Sequence, residues 1–220
     1  MPIGPFGVAV VETFTGGAGP LSGSWSNAGW GDASGITLSG SGTGVNTTGS
    51  AACSNWQTSY TPAAGQPVVT FTQVVAGISA VGSLSLFWFN GNPTSTNVSG
   101  YRFGAFGGSQ VLTLDSWISN SQYVLSIGSR MTLADGDYIG LSIEIGGHII
   151  GWYSPDGNAW YKMMQAVNTA NIYSTYYAGL EIGPATVIDN FGVGNGTRSE
   201  GRIWKPNKTR PRAFGPGLAR

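Results

Sequence analysis

The stretch YIGLSIEIGGHIIGWY, residues 138–153, decides the fold class. Isoleucine and leucine occupy every second position from 139 to 145, with polar, small or tyrosine residues between them. A period of two places such an apolar set on one face of a β-strand. Gly146 and Gly147 can both adopt positive φ, so this two-residue link predicts a hairpin into a second strand that starts at His148. The residues expected to face the core are Ile139, Leu141, Ile143 and Ile145.

Comparable strands recur along the chain. Val, Ile, Thr and aromatic residues are concentrated in ten short runs, at residues 8–14, 68–75, 84–89, 101–106, 111–117, 122–127, 138–145, 148–153, 176–182 and 186–193. The links between them are turn sequences such as NGNP at 90–93 and PDGN at 155–158. About ten strands with no helical period predict an all-β protein of two packed antiparallel sheets. Residues 16–65, rich in Gly, Ser, Thr and Asn, fit loops, short edge strands or both.

Three motifs resemble the concanavalin A-like lectin and glucanase (LamG-like) jelly-roll family. ETFT at 12–15 followed by GPLSGSW at 19–25 is similar to the family's opening pattern F-x-x-x-x-G-x-L-x-x-x-W. GWYSPDGNAW at 151–160 resembles its late S-x-D-G-x-x-W turn, and IDNF at 188–191 resembles its closing D-N-F strand. The resemblance covers residues 8–193 and implies a two-sheet antiparallel jelly roll whose first and last strands pair. At that closure Asp189 and Asn190 are expected to satisfy backbone groups.

The formal net charge is zero, but the two signs are separated along the chain. Residues 198–220 contain seven of the ten Lys and Arg residues and one of the ten acids, so their formal charge is +6 and that of residues 1–197 is −6. The basic segment has three prolines, three glycines and no strand or helix period, so it cannot fold alone. We predict an N-terminal arm at 1–7, a sandwich at 8–197 and a basic C-terminal arm at 198–220.

No catalytic or metal-binding constellation stands out in the sequence. The glucanases of this family carry E-x-D-x-x-E on one strand, and this chain has no such motif. A single histidine, His148, and a single cysteine, Cys53, exclude zinc sites built from several of these ligands. Asp135 and Asp137 flank a glycine in what fits a plain turn, with a calcium site as the alternative. We therefore predict no enzyme activity, no cofactor and no metal.

Sugar binding requires less, namely aromatic faces and a few hydrogen-bonding groups. The candidate glycan-binding residues flank the turn at 156–157, and they are Trp152, Tyr153, Trp160 and Tyr161. An aromatic core or a subunit interface is the alternative for these side chains. The same choice between a core and a stacking platform applies to Trp25, Trp30 and Trp56.

The terminal segments predict docking onto other proteins. The C-terminal arm offers cations and aromatic rings to a neighbouring subunit, and its candidate partner-binding residues are Arg198, Arg202, Trp204, Lys205, Lys208, Arg210, Arg212, Phe214 and Arg220. In layout, a sandwich between two arms resembles the accessory proteins of tailed-phage particles. This resemblance implies a non-enzymatic virion protein on the particle surface, a capsid decoration or cement subunit present in multiple copies and bound to major capsid or other virion proteins.

Two alternatives to the capsid role are open. One is a head or tail fibre or a tail-tip receptor-binding protein, and the other is a lectin-like carbohydrate-binding module. The acidic body opposes binding to nucleic acid, because phosphates repel it. No apolar run in the sequence approaches the length needed to cross a membrane, so no membrane partner is expected.

Overall fold

The computed structural model describes residues 4–21, 23–26, 36–46, 51–77, 83–91, 93, 97–106, 111–131, 133–169 and 173–197. Within these ranges the regular structure is sixteen β-strands and one short 3-10 helix, Pro5–Gly7. The strands are β1 (Val10–Glu12), β2 (Gly19–Pro20), β3 (Trp25–Ser26), β4 (Thr37–Leu38), β5 (Gly44–Val45), β6 (Ala52–Tyr60), β7 (Val68–Ala76), β8 (Leu84–Phe89), β9 (Gly100–Phe106), β10 (Val111–Ile118), β11 (Ser121–Arg130), β12 (Tyr138–Glu144), β13 (His148–Ser154), β14 (Tyr161–Val167), β15 (Tyr176–Ile182) and β16 (Val187–Asn195). No helix among the described residues is long and apolar enough to cross a membrane.

The strands form two antiparallel sheets that pack face to face. One sheet has nine strands in the order β14-β13-β12-β7-β16-β5-β4-β2, with β1 paired to β16. The other has seven strands in the order β11-β10-β9-β8-β15-β6-β3. Apolar side chains from both inner faces, such as Leu86, Phe103 and Leu141, form the main core. The predicted concanavalin A-like jelly-roll sandwich is confirmed.

The hairpin at 138–153 forms with one difference from its prediction. Glu144 lies opposite His148, so the link is a three-residue turn and not the two-residue turn that was predicted. Gly146 and Gly147 adopt φ of 92° and 79°, which favours glycine at both positions. The extra turn residue is Ile145, which is 57% exposed although its alternation with Ile143 predicted a core position. That prediction was wrong because the strand ends one residue before the apolar period does.

All ten predicted strands are present, and several others were not predicted. β6 and the short strands β2 to β5 lie in the stretch 16–65 that the sequence left open. Trp25 and Trp56 pack against each other and against the core, as a core role predicts, whereas Trp30 lies outside the described residues. β14 was not predicted, because Lys, Met, Gln and Ala in its sequence have no strong strand preference.

The first and last strands pair as the resemblance implied. β1 runs antiparallel to β16, and the register shifts between Val10 and Glu12. At that shift Asn190 adopts φ of 50°, and its backbone N–H donates to Asp189 Oδ1 at 2.7 Å. The side-chain amide of Asn190 also donates to Gln73 Oε1 at 2.6 Å. These two polar residues stabilise the irregular backbone at the closure.

The described part of the predicted N-terminal arm, residues 4–7, packs on the sandwich and is not extended. Gly4 and Pro5 are buried, and Phe6 packs edge-on against Trp152 with ring centroids 5.3 Å apart. The backbone N–H of Thr197 donates to the Phe6 carbonyl at 3.0 Å. The physical reason is an apolar sequence that covers Phe71 on the outer face of the nine-stranded sheet. Residues 1–3 and the predicted C-terminal arm, 198–220, lie outside the described residues.

Candidate functional site

The four predicted glycan-binding residues do not form one platform. Trp152 lies on the outer face of the nine-stranded sheet, where its indole N–H donates to Ser142 Oγ at 2.8 Å. Tyr153 follows it on the opposite face, which packs against the main core, and its hydroxyl donates to Asp137 Oδ1 at 3.2 Å. Tyr161 is the register partner of Tyr153 on β14, and the two rings stack at 6.2 Å. Strand alternation therefore divides the set between two faces.

Trp160 also has a packing role. Its ring lies edge-on to Phe71 at 5.7 Å and to Tyr138 at 6.2 Å, within a small apolar cluster on the outer face of the nine-stranded sheet. Val8 and Phe6 complete this cluster from the N-terminal segment. Trp152 and Trp160 are both partly buried and both contact side chains of this face, Trp152 through Phe6 and Trp160 through Phe71 and Tyr138.

Asp137 takes part in a tight turn. Its carboxylate Oδ2 accepts the backbone N–H of Ala134 at 2.7 Å, and Gly136 has φ of 93°, as a tight turn requires. No group of three or more His, Cys, Asp and Glu side chains that could hold a metal occurs among the residues that the structure describes. The alternative of calcium binding by Asp135 and Asp137 stays untested.

A charged group that the sequence analysis did not single out lies on the outer face of the seven-stranded sheet. Arg102 on β9, Asp115 on β10 and Glu181 on β15 all occupy outward positions, because their neighbours Phe103, Leu114 and Leu180 on the same strands face the core. We call Arg102, Asp115 and Glu181, with Trp117 and Gln122 beside them, the Arg102 cluster.

Asp115 is the most tightly held member of the Arg102 cluster. It is fully buried, and its Oδ2 accepts hydrogen bonds from Arg102 Nη2 at 2.7 Å, Arg102 Nε at 3.0 Å, Gln122 Nε2 at 3.0 Å and Thr113 Oγ1 at 3.2 Å. Its other oxygen, Oδ1, is buried and accepts no hydrogen bond from the described residues. A buried carboxylate oxygen without a donor carries a desolvation cost that no hydrogen bond offsets.

Aromatic rings surround the guanidinium group of Arg102. Its Cζ lies 5.1 Å from the ring centroid of Trp117 and 5.8 Å from that of Phe87, both within cation–π distance. Phe87 stacks on Phe89 at 4.9 Å, and both of these phenylalanines are buried. Trp117 and Glu181 are partly exposed and Gln122 is exposed, so these three form the part of the cluster that solvent reaches.

Glu181 differs electrostatically from Asp115. Arg102 Nη1 lies 3.7 Å from Glu181 Oε2, a longer ion contact than the one to Asp115. Burial raises the pKa of Glu181 above its ordinary value, although Arg102 and the Ser85 hydroxyl partly offset this. Burial likewise raises the pKa of the Cys53 thiol, which lies opposite Glu181 in the strand register, so the protonated thiol is favoured.

A second polar surface lies on the outer face of the nine-stranded sheet. Glu144, His148, Lys162 and Gln165 line an open cleft of about 430 Å³ beside the loop at 63–67. Lys162 Nζ donates to Gln165 Oε1 at 2.9 Å, and the Gln165 amide lies 3.4 Å from His148 Nδ1. Lys162, Gln165 and His148 therefore contact one another. No Trp, Tyr or Phe among the described residues lines the cleft.

No protein-family model and no curated protein matches the chain. Solved structures do match over most of its length. The carbohydrate recognition domain of Emp47p superposes with a TM-score of 0.60 at 10% identity, over 86% of this chain and 96% of that one. Carbohydrate binding module CBM66 from Bacillus subtilis gives 0.51 at 12% identity, over 79% and 98%. A β-1,3-1,4-glucanase (lichenase) from a mouse hindgut metagenome gives 0.55 at 11% identity, over 84% and 97%.

At these identities the likeness establishes the shared fold alone. The motifs at 12–25, 151–160 and 188–191 therefore predicted the architecture correctly. What the protein can bind depends on the side chains of this chain and not on the shared fold.

Proposed function

We propose that the protein is a non-catalytic carbohydrate-binding module that binds glycans through the Arg102 cluster. The observation that carries the proposal is the solvent-exposed edge of this cluster, where Trp117, Glu181 and Gln122 lie beside the buried ion pair of Arg102 and Asp115. A structural role does not require this arrangement, because a buried ion pair adds little stability compared with apolar side chains of similar volume. Charged side chains that are grouped on the outer face of a sheet, as in the Arg102 cluster, are instead typical of a binding site.

The chemistry of the Arg102 cluster suits a sugar. Glycan hydroxyls both donate and accept hydrogen bonds, so they can use the carboxylate of Glu181 and the amide of Gln122 together. The partly exposed ring of Trp117 offers an apolar face to the C–H surface of a pyranose. Two of the structures that share this fold are named as carbohydrate recognition or carbohydrate-binding domains, which supports the same class of ligand.

The position of Arg102 favours binding over hydrolysis. A glycosidase needs two carboxyl groups with the scissile bond between them, about 5 Å apart in retaining enzymes and about 6.5–9.5 Å apart in inverting ones. Here the guanidinium of Arg102 contacts both Asp115 and Glu181, so it occupies the space that a substrate would need. Asp115 is also fully buried, and its Oδ2 already accepts four hydrogen bonds, so this carboxylate is poorly suited to attack a sugar.

The test is a screen of the full chain against immobilised polysaccharides and oligosaccharides, followed by calorimetry on any ligand found. Glu181→Gln keeps the shape of the side chain, and Gln122→Ala truncates an exposed side chain and also removes its hydrogen bond to Asp115. Each should weaken binding about tenfold or more, as expected for the loss of a hydrogen bond to a charged or polar group. Trp152→Ala, on the outer face of the other sheet, is the matched control and should leave affinity unchanged. Absence of binding to every glycan would refute the function, whereas binding that only Trp152→Ala removes would refute the site.

The virion role predicted from the terminal arms stays a prediction. The nine candidate partner-binding residues from Arg198 to Arg220 lie outside the described residues, and the similar structures lend it no support. Co-sedimentation of the chain with particles, with and without residues 198–220, would test that role and the predicted location on a virion surface.

A further inference from the structure

The outer face of the seven-stranded sheet continues from the Arg102 cluster onto β11, the last strand at that end of the sheet. Val124 lies opposite Asp115 in the strand register, and Ile127 lies opposite Thr113. Residues directly opposite each other in an antiparallel pair point to the same face, with Cβ atoms about 4.5–5.5 Å apart. Two aliphatic side chains therefore border the cluster on the side of β11.

Val124 and Ile127 form one apolar surface that is open to solvent. Val124 is 52% exposed, and Ile127, at 69%, is the most exposed large hydrophobic side chain among the described residues. They are successive outward positions of β11, because Leu125 packs against the main core and Ser126 lies opposite the core residue Leu114. The two side chains therefore lie side by side, about 7 Å apart along the strand.

The small size of this apolar surface favours a group of a ligand over a protein partner. A specific protein interface takes about 20–30 residues from each partner, whereas two exposed aliphatic side chains lie here. Two such side chains suit a single methyl group, which gains free energy on leaving water and needs no hydrogen bond. Because the surface adjoins the Arg102 cluster, the glycan proposed for that cluster is the ligand that would supply the methyl group.

Gln122 adds a polar contact beside the two aliphatic side chains. Its side-chain nitrogen donates to Asp115 Oδ2 at 3.0 Å. A carboxylate that is paired with an arginine only accepts hydrogen bonds, so the amide nitrogen of Gln122 faces Asp115 and the amide oxygen can accept from a ligand. Gln122 precedes Val124 by two residues, which places it about 7 Å away on the same face. An acetamido group fits this arrangement, since it combines an N–H donor with a methyl group.

The charges within the Arg102 cluster disfavour acidic glycans. The guanidinium group of Arg102 contacts the carboxylates of both Asp115 and Glu181, so the cluster contains one more acid than base. A carboxylate or sulfate on the ligand would approach the partly exposed Glu181, and such like charges repel each other. The ligand that suits this cluster is therefore neutral.

We propose that the glycan bound at the Arg102 cluster is a neutral chain with N-acetyl groups. An acetamido N–H donates to Gln122 Oε1, and the methyl group of the same substituent packs on Val124 and Ile127. This inference rests on the proposed function and adds the class of sugar that the site selects. Burial of one methyl group should make such a chain bind about fourfold tighter than a chain with a hydroxyl group in its place.

The test is calorimetry of the full chain with two matched β-linked tetrasaccharides, one of N-acetylglucosamine and one of glucose. They differ by an acetamido group in place of a hydroxyl group on each sugar, and we expect the N-acetylated one to bind about fourfold tighter. Val124→Thr and Ile127→Thr remove exposed methyl groups and should each reduce this ratio to about twofold or less. Val11→Thr is the matched control, since Val11 is 46% exposed but lies on β1 of the other sheet, and it should keep the ratio.

The outcomes separate this inference from the proposed function. Equal affinity for the two tetrasaccharides, a preference that both variants retain, or binding of other glycans but of neither tetrasaccharide would overturn the inference and leave the proposed function intact. Binding of no glycan at all would overturn both. Self-association of the chain that Val124→Thr abolishes would assign the aliphatic surface to a second copy and would also overturn the inference. Circular dichroism of each variant confirms that the sandwich is folded.

Discussion

Arg102 holds Asp115 by a single carboxylate oxygen. Both Nε and Nη2 of the arginine reach Oδ2, at 3.0 and 2.7 Å, and leave Oδ1 without a donor among the described residues. Pairs of arginine and carboxylate are frequently bidentate, with two parallel N–H···O bonds to the two oxygens. Here both donors converge on Oδ2, and Arg102 Cζ lies 5.1 Å from the ring centroid of Trp117 and 5.8 Å from that of Phe87.

The pair should be strongly coupled in the folded state. Asp115→Leu leaves the Arg102 charge buried without its closest counter-charge and should lower the free energy of unfolding by about 3–5 kcal/mol. Arg102→Met leaves the Asp115 carboxylate uncompensated and should cost a similar amount. The double variant Arg102→Met/Asp115→Leu should lose much less than the sum of the two, because no buried charge is left.

Urea unfolding of the four proteins gives the coupling free energy directly. Additive losses would show that the two side chains do not depend on each other and that the short contact carries no energy. A Thr113→Val control removes only one hydrogen bond, from a neutral hydroxyl to the same carboxylate oxygen, and should cost about 1.5–3 kcal/mol.

Glu181 should make the stability depend on pH. Its pKa is raised in the folded state, so its contribution is fully present below its unfolded pKa, near 4.5, and is lost as the pH rises through the folded value. Glu181→Gln stays neutral throughout and does not lose this contribution. The free energy of unfolding of Glu181→Gln, relative to wild type, should therefore increase between pH 4 and pH 7. A difference that stays constant over this range would mean that the folded pKa of Glu181 is not raised.

The sequence predicted the strands of this fold better than their arrangement. The predicted runs 84–89 and 176–182 match β8 and β15 residue for residue, because their Phe, Trp, Tyr and Ile residues favour strands. β6 and β14 contain a smaller share of such residues. Asn, Gln and Ser in β6, and Lys and Met in β14, form strands because neighbouring strands supply backbone partners, which a local pattern does not contain.

The Arg102 cluster could not be predicted from the sequence for a related reason. Its three charged residues come from three predicted strands, and each of them falls on the outward face by simple alternation. The order β10-β9-β8-β15 is what brings Asp115 and Glu181 to opposite sides of Arg102, and this order is set by pairing between distant segments. The aromatic residues around 156–157 were the more visible candidates, since they lie close together in the chain.

Gly151 tests how tightly the two sheets pack. A Cβ at this position on β13 would overlap the ring of Phe103 on β9 of the opposite sheet. Gly151→Ala should lower the free energy of unfolding by about 1–3 kcal/mol, the usual cost of an extra carbon in a filled core. A Cβ at Gly146, in the turn before β13, meets only His148 Cδ2 at an ordinary contact distance of 3.8 Å, but φ there is 92°, so any loss in Gly146→Ala comes from backbone strain. If Phe103→Leu in the Gly151→Ala background does not restore stability, the clash is not the cause.

Trp160 separates a packing role from a sugar-binding role. Its ring contacts Phe71 and Tyr138 beneath the N-terminal segment, so Trp160→Ala should lower the free energy of unfolding by about 2–4 kcal/mol. Trp160→Phe keeps an aromatic ring in this cluster and should recover more than half of that loss. Neither variant should change the affinity for a glycan that binds the Arg102 cluster, because Trp160 lies on the other sheet. A loss of affinity in Trp160→Ala at temperatures where the protein remains folded would instead support the aromatic group around the 156–157 turn as the glycan site.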